Sequence, residues 1–190
     1  MTDDHADSAD LPVSDRVLLD LSAAGDRTSF EQLVRRHGPS LTRYARRMLR
    51  DEGDVSEVVQ DTFVVAWKQS SSFRGESTVR TWLFSICSRK IVDSRRVKRA
   101  QPMPDWLLEP AHVGRALDPH VFASNQEFVS ALEKALAELP PRQRASWVLR
   151  EIEGMTFPQI GVALSLSADG VRGHHLRARN ALSLRMARWK

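Results

Sequence analysis

Three side chains near the C-terminus, Arg172, His174 and Arg177, place hydrogen-bond donors at helical spacing around Gly173. A guanidinium donates in a planar fork that matches the acceptor edge of guanine and the oxygens of a phosphate. On one exposed helix face, such donors suit the major groove of duplex DNA. A solvated Arg-rich helix has the same composition, so the spacing alone leaves both interpretations open.

A second group, between residues 73 and 99, interleaves basic and aromatic side chains. Cations that bind phosphates beside rings that stack on bases are typical of surfaces for unpaired nucleotides. Trp82 also stands at a spacing that fits a core residue, and that alternative stays open. The group consists of Phe73, Arg80, Trp82, Phe84, Arg89, Lys90, Arg95, Arg96, Lys98 and Arg99.

An acidic stretch precedes this group and offers a different chemistry. It consists of Asp51, Glu52, Asp54, Glu57 and Asp61, and it is accompanied by Gln60 and Trp67. Charges, an amide and an aromatic anchor together favour a protein partner. A solvated helix face is the alternative.

The sequence offers no convincing catalytic or metal-binding constellation. Cys87 is the single cysteine, and no sequence cue places a base beside it, so a buried structural thiol is favoured over a nucleophile. His174 and His175 are adjacent on a predicted helix and point about 100° apart, which does not suit one shared ion. We therefore predict no cofactor, no metal and no enzymatic activity.

The charge of the 190-residue chain is unevenly distributed. Residues 1–34 hold eight acids against two arginines, a net charge of −6, whereas the remaining 156 residues carry 26 basic and 16 acidic side chains, a net charge of +10. A polyanion such as nucleic acid fits the basic part. No apolar run approaches the ~18 residues of a membrane span, and the first ten residues do not resemble a secretory signal, so we expect a cytoplasmic protein.

Apolar residues at spacings of three and four predict helices along most of the chain and therefore an all-α fold. Gly38-Pro39 predicts a break that divides residues 28–49 into two helices. Four prolines between residues 99 and 124 predict a flexible linker. Two small helical domains follow from this pattern. Further helices are expected from Val17 onward and at residues 54–67, 77–97 and 125–139.

The last fifty residues show the signals of a helix-turn-helix. One helix is expected at residues 142–152. Gly154 follows it at the position where a helix commonly ends in a left-handed C-cap. Thr156 and Gln159 form a capping box for the second helix, and Ser167 can cap the third. Val171, Ala178 and Leu182 would face inward in the third helix. A plain three-helix bundle is the alternative.

Several motifs in this order resemble the extracytoplasmic-function (ECF) sigma factors of bacterial RNA polymerase. They are Asp54-Val-Ser-Glu-Val-Val-Gln-Asp-Thr-Phe63 with Trp67, Phe73-Arg-Gly-Glu-Ser, Thr81-Trp-Leu-Phe-Ser-Ile86 with Asp93, Leu139-Pro-Pro-Arg-Gln-Arg144, Leu149-Arg-Glu-Ile-Glu-Gly154 and Arg177-Ala-Arg179. The resemblance covers roughly residues 20–98 and 126–188.

The resemblance implies four segments and a mechanism. Residues 1–16 would be an acidic disordered leader, 17–98 a sigma region 2 domain, 99–125 a linker and 126–190 a sigma region 4 domain. Region 2 would bind core RNA polymerase and recognise and melt the minus-10 element as single strands, while region 4 would bind the minus-35 element as duplex. Contacts made only after melting would offset the cost of unpairing.

The resemblance also implies residue roles. Asp54, Glu57, Gln60, Asp61 and Trp67 would contact the polymerase clamp. Arg172, Gly173, His174 and Arg177 would read the minus-35 element. The minus-10 set would be Phe73, Arg74, Trp82, Arg89, Lys90, Arg95 and Arg96.

Some positions depart from the family pattern, and some partners are left open. Lys90 replaces a usual Asn, Asp169-Gly170 a usual Gly-Thr, and His175 a usual Leu.

An anti-sigma protein is a further partner that the family suggests. The rival function is a stand-alone helix-turn-helix regulator that binds duplex DNA without polymerase. For the acidic leader, folding back onto the basic surface competes with a solvated tail.

Overall fold

The computed structural model describes residues 13–100 and 123–187, with side chains for 13–96 and 126–187. Every regular element in these two ranges is helical, which confirms the all-α expectation. The expectations for residues 1–12 and 101–122 lie outside the described residues. The helices are α1 (Asp15–Ala23), α2 (Arg27–Met48), α3 (Glu52–Gln69), α4 (Val79–Ala100), α5 (Ala123–Ala137), α6 (Pro141–Trp147), α7 (Phe157–Leu164) and α8 (Ala168–Arg185).

Side-chain caps explain where the first three helices begin. Ser14, Asp26 and Asp51 each accept a hydrogen bond from a backbone N–H of the first turn of α1, α2 and α3, respectively. Because Ser14 caps α1, that helix begins at Asp15 rather than at Val17. Residues 15 and 16, expected in a disordered leader, are therefore helical.

The predicted break at Gly38-Pro39 is wrong, because α2 is continuous through Pro39. Proline costs one backbone hydrogen bond in a helix interior. Packing against the rest of the first block compensates for this loss, since Leu33, Leu41 and Tyr44 on both sides of the proline are buried.

Helices α1 to α4 form the first block around a common core. The Tyr44 ring packs edge-on against Phe84 at 5.5 Å between centroids, and its hydroxyl lies 3.0 Å from Ser88 Oγ. Tyr44 therefore occupies the core. Cys87 is fully buried beside it, and burial raises the pKa of its thiol to about 12. A thiol in this state is a poor nucleophile near neutral pH.

Helices α5 to α8 form the second block. The expected helix at 142–152 is divided, because α6 ends at Trp147 and continues as a π-helical turn, Val148–Ile152. Gly154 has a φ of +66°, and Thr156 with Gln159 forms the predicted capping box of α7. Ser167 caps α8 through Gly170 N–H at 3.0 Å.

The turn between α7 and α8 depends on a close approach of two backbones. A Cβ at Gly161 would lie 2.7 Å from the carbonyl oxygen of Leu166, so only glycine fits there. The three helices α6, α7 and α8 pack on one another as the predicted helix-turn-helix.

The two blocks also contact each other. Helix α7 packs against α4, and α2 touches α5, α6 and the π-helical turn. Among the described helices, we find none with the length and apolarity that crossing a membrane requires.

Candidate protein-binding and nucleic-acid interfaces

An apolar groove of about 780 Å³ lies between α2 and α3. Its floor is aromatic: the Phe30 ring packs edge-on against Trp67 at 5.0 Å and against Phe63 at 6.2 Å between centroids. Gln60 adds an exposed amide to the wall. Charges of both signs line the remainder, namely Arg27, Glu31, Arg46, Glu52 and Lys68. An aromatic floor with a polar rim is the usual anatomy of a protein-binding site.

The groove includes only part of the set expected to bind the polymerase. Gln60 and Trp67 line it, whereas Asp54, Glu57 and Asp61 lie outside it on α3. The Asp61 carboxylate instead accepts a hydrogen bond from Lys90 Nζ at 2.8 Å. A contact to a partner through Asp54, Glu57 or Asp61 must therefore adjoin the groove rather than fill it.

Phe73 and Trp82 form a partly exposed aromatic pair where the chain enters α4. Their ring centroids are 5.0 Å apart, and the Arg16 guanidinium lies 5.3 Å from the centre of the Phe73 ring. A Cβ at Gly75 would lie 2.8 Å from Arg16 Nη1, so the glycine gives the arginine room. Trp82 is half-buried against the core, consistent with both uses considered from the sequence.

Helix α4 divides its basic side chains among different neighbours. Trp82, Arg89 and Arg96 follow one another at intervals of seven residues and share one face, on which both arginines are exposed. Lys90 binds Asp61, and the Arg95 guanidinium donates to the carbonyl oxygen of Met48 at the end of α2. Exposed Arg74 precedes the helix. The minus-10 set is therefore only partly assembled on one surface.

Arg80, which the sequence placed on the same basic surface, points elsewhere. It is half-buried and donates to Glu153 in the second block. Its guanidinium also lies 5.1 Å from the centre of the Phe84 ring. Arg80 is therefore not part of the free basic face of α4.

The minus-35 candidates lie together on the first turns of α8. Arg172 and Arg177 are exposed, while Gly173 and His174 are half-buried. Arg177 Nη2 lies 3.2 Å from His174 Nδ1, and burial, reinforced by the nearby Arg177 and Arg142 charges, lowers the pKa of His174. His174 is therefore neutral near pH 7, with Nδ1 accepting from Arg177 and the Nε2–H group left as a donor.

The Phe157 ring of α7 packs against side chains at the beginning of α8. The guanidiniums of Arg150 and Arg172 lie 4.8 Å and 5.5 Å from the centre of its ring. His175 packs edge-on against the same ring at 5.5 Å, and its Nε2 lies 2.7 Å from Glu151 Oε1. His175, which replaces a usual Leu, thus contacts Phe157 and Glu151, and α8 is continuous through it.

No group of three or more His, Cys, Asp or Glu side chains in the described parts of the chain is arranged to hold a metal ion. Sequence reasoning did not predict the contact of Arg16 with Phe73, nor the cluster of Glu153 with Arg43 and Arg80. Both join residues far apart in sequence, and neither carries a local motif. The acidic residue before Gly154 was the only available signal for the second.

Comparison with known proteins identifies the family. Residues 33–101 match the model of Sigma-70 region 2, and residues 130–182 match that of Sigma-70, region 4. The chain is 34% identical over 177 residues to the RNA polymerase sigma factor CnrH of Cupriavidus metallidurans, covering 90% of this chain and 93% of that one. It is 32% identical over 170 residues to the ECF RNA polymerase sigma factor SigM of Mycobacterium tuberculosis, covering 90% and 83%.

Solved structures agree with this assignment. CnrH in complex with the cytosolic domain of CnrY matches with a TM-score of 0.68 at 34% identity, covering 90% of this chain and 95% of that one. The sigma factor RpoE from Bartonella quintana, solved with the anti-sigma factor NepR, shares the fold with a TM-score of 0.70 at 23% identity, covering 83% and 96%.

The chain belongs to the ECF sigma factors of bacterial RNA polymerase. It is a non-enzymatic initiation factor that acts with RNA polymerase to start transcription at specific promoters. Nothing in the comparisons favours the stand-alone regulator. Which residues of this chain perform each step is a separate question.

Proposed function

We propose that residues 17–98 bind the polymerase clamp and open the minus-10 element, and that residues 126–190 bind the minus-35 element, with 99–125 between them. The observation that carries this proposal is the aromatic groove between α2 and α3, which lies in the same block as the aromatic and basic surface of α4. One small block thereby offers a protein-binding surface and a surface for unpaired DNA.

In this proposal the clamp docks on the groove, with Trp67 as the aromatic anchor and Gln60 as the polar contact. Asp54, Glu57 and Asp61 add negative charge beside the groove, which favours a basic partner surface. Asp61 also anchors Lys90, so the clamp-facing charge and the basic face of α4 belong to one network.

For the minus-10 element, Phe73 and Trp82 supply rings for bases that leave the duplex. Arg74, Arg89 and Arg96 are the exposed cations of this surface and meet the phosphates. Lys90 and Arg95, both engaged within the protein, position α4 and contact DNA only if they exchange partners. Single-strand contacts of this kind favour the melted promoter over the closed duplex.

For the minus-35 element, α8 enters the major groove with its N-terminal turns foremost. Arg172 and Arg177 donate to base edges or phosphates, and neutral His174, whose Nδ1 accepts from Arg177, adds the Nε2–H donor. Gly173 leaves room between the two arginines for close approach of the backbone.

The protein acts in the cytoplasm, where core polymerase and promoter DNA are found. CnrH was solved with the cytosolic domain of CnrY, and RpoE with the anti-sigma factor NepR. We therefore propose that an anti-sigma protein also binds this chain and withholds it from polymerase.

Run-off transcription with purified bacterial core polymerase on genomic promoter fragments tests the proposal. Promoter-specific transcripts should require both components. Gln60→Ala and Asp61→Asn should each raise the core concentration needed for half-maximal transcription by about tenfold, the effect of ~1.4 kcal/mol at an interface. Gln69→Ala, an exposed glutamine at the end of α3 and outside the groove, is the matched control. Equal dependence on core for all four proteins would reject the clamp assignment.

A further inference from the structure

Glu153 is a fully buried carboxylate at the contact between the two blocks. Its side chain has 0% exposure, and both of its guanidinium partners come from the first block. Arg43 of α2 donates from Nε and Nη2 to the two carboxylate oxygens, each at 3.3 Å. Arg80 of α4 donates from Nη2 to Oε2 at 3.3 Å and to the Glu153 main-chain oxygen at 2.7 Å.

Two positive charges of the first block, on Arg43 and Arg80, thus face one negative charge of the second block, on Glu153. An ionised carboxylate that is removed from water needs compensating donors, and without them burial is strongly unfavourable. The two arginines lie 110 and 73 residues away in sequence. Separation of the blocks would return the Glu153 carboxylate to water and take it away from Arg43 and Arg80, so the contact exists only in the closed form.

The turn that carries Glu153 is held in place before any contact with the first block. Glu153 N–H donates to the Val148 carbonyl at 3.1 Å, and Met155 N–H donates to the Leu149 carbonyl at 2.9 Å. Gly154 takes the left-handed conformation that reverses the chain between them. The carboxylate is therefore presented at a fixed position, which lowers the entropy cost of closing.

Further contacts extend the same interface. Helix α7 packs against α4, and Arg144 Nη1 lies 3.4 Å from the Arg47 carbonyl oxygen at the end of α2. Arg144 is almost fully buried and also donates to the carbonyl oxygens of Ala137 and Leu139. The Glu153 contact thus lies within a packed junction and is not an isolated surface ion pair.

We propose that Glu153 is an intramolecular latch that holds the free sigma factor closed and must be released before both promoter elements can be bound. The two elements, as their names state, lie roughly 25 base pairs apart, or about 85 Å along the duplex at 3.4 Å per base pair. A compact chain of 190 residues has a radius of gyration of only about 16 Å. The closed form cannot reach both elements, so binding to polymerase and DNA requires the Glu153 contacts with Arg43 and Arg80 to break.

This inference goes beyond the proposed residue roles, because it concerns the free protein. It is tested by a distance measured between spin labels at Ser71→Cys in the first block and Ser183→Cys in the second, both at exposed serines. Buried Cys87 stays unlabelled. The Ser71→Cys/Ser183→Cys protein without further changes should show mainly one short distance, and addition of core polymerase with promoter DNA should convert it to a longer one.

Glu153→Gln and Arg43→Gln in the labelled protein should each raise the extended share at least fivefold without polymerase. Glu138→Gln is the matched control, because its carboxylate pairs with Arg185 inside the second block at 2.7 Å. It should leave the short distance unchanged. Arg43→Gln, at a half-exposed side chain in the other block, decides the question if Glu153→Gln fails to fold.

Two results would overturn the latch. The long distance could already dominate in the free labelled protein, or the short distance could persist in both folded glutamine variants. Because neither polymerase nor DNA enters this comparison, its outcome is distinguishable from failure of the clamp and promoter assignments.

Discussion

Lys90 of α4 donates a hydrogen bond to the Asp61 carboxylate of α3 at 2.8 Å, which joins the α4 surface proposed for minus-10 DNA to the side of α3 proposed to face the clamp. Both side chains are partly exposed, at 31% and 46%. The ammonium is therefore partly neutralised where the family usually has Asn.

The Asp61–Lys90 pair should show a measurable but small coupling. For Asp61→Asn, Lys90→Asn and the double variant, unfolding in urea should give a coupling free energy of about 0.5 to 1 kcal/mol, as expected for a partly exposed ion pair. If the effects of the two single substitutions sum to that of the double variant within 0.3 kcal/mol, the usual scatter for independent sites, the pair contributes nothing.

Arg16 should assist promoter melting through its contact with Phe73. Removal of the guanidinium from the ring in Arg16→Ala costs about 0.5 to 1 kcal/mol, the value of an exposed cation–π contact, and should slow open-complex formation two- to fivefold. Permanganate reactivity of unpaired thymines at the minus-10 element measures this. Arg35→Ala removes a more exposed arginine that, like Arg16, has an (i, i+4) acidic partner, and it should have no effect.

Gly161→Ala should destabilise the helix-turn-helix. The new Cβ would lie 2.7 Å from a backbone carbonyl that no side-chain rotation can move, and such overpacking costs about 1 to 3 kcal/mol. Thermal unfolding and binding of minus-35 duplex should both weaken. Val162→Ala, at the exposed neighbouring position, is the control and should change neither. A Gly161→Ala protein that melts like the control would contradict the close approach.

His37 should make the protein less stable in mild acid. Burial lowers the pKa of His37. The Asp15 carboxylate, whose Oδ2 lies 2.8 Å from His37 Nε2, raises this pKa but compensates only partly for burial. The unfolded chain, with an ordinary pKa of about 6.5, therefore takes up the proton first as the pH falls. Its contribution to the unfolding free energy should thus decrease as the pH falls below about 6.5 and level off below the folded pKa.

Urea unfolding at pH 7.5, 6.5 and 5.5 measures this effect. His37→Gln keeps a donor for Asp15 but does not titrate, so its stability should depend less on pH over this range. An identical pH dependence in the two proteins would assign the effect to other groups.

Local signals predicted most of the secondary structure. The Thr156 and Gln159 capping box, the Ser167 cap and the left-handed Gly154 are short-range features, and each is present in the structure. The inward positions of α8 also follow from helical periodicity alone, since Val171, Ala178 and Leu182 are all buried. The α7–α8 hairpin could therefore be predicted without any knowledge of tertiary contacts.

The features that the sequence did not predict depend on distant residues. Pro39 carries a strong local breaking signal, which burial on both sides of it overrides. Arg80 fits a basic helix face by periodicity, but its partner Glu153 is 73 residues away. Because no spacing rule encodes such pairs, the sequence assigned Arg80 to DNA and gave Glu153 no role of its own.

The continuity of α2 gives this helix a mechanical role. Phe30, near the beginning of α2, lines the groove. Arg43, which pairs with Glu153, follows Phe30 by 13 residues, or about 20 Å along the helix axis at 1.5 Å per residue. A hinge at Pro39 would let the two ends move independently. A continuous helix instead fixes their separation and orientation, so under the proposed roles a displacement of the groove by polymerase would also displace Arg43, which pairs with Glu153.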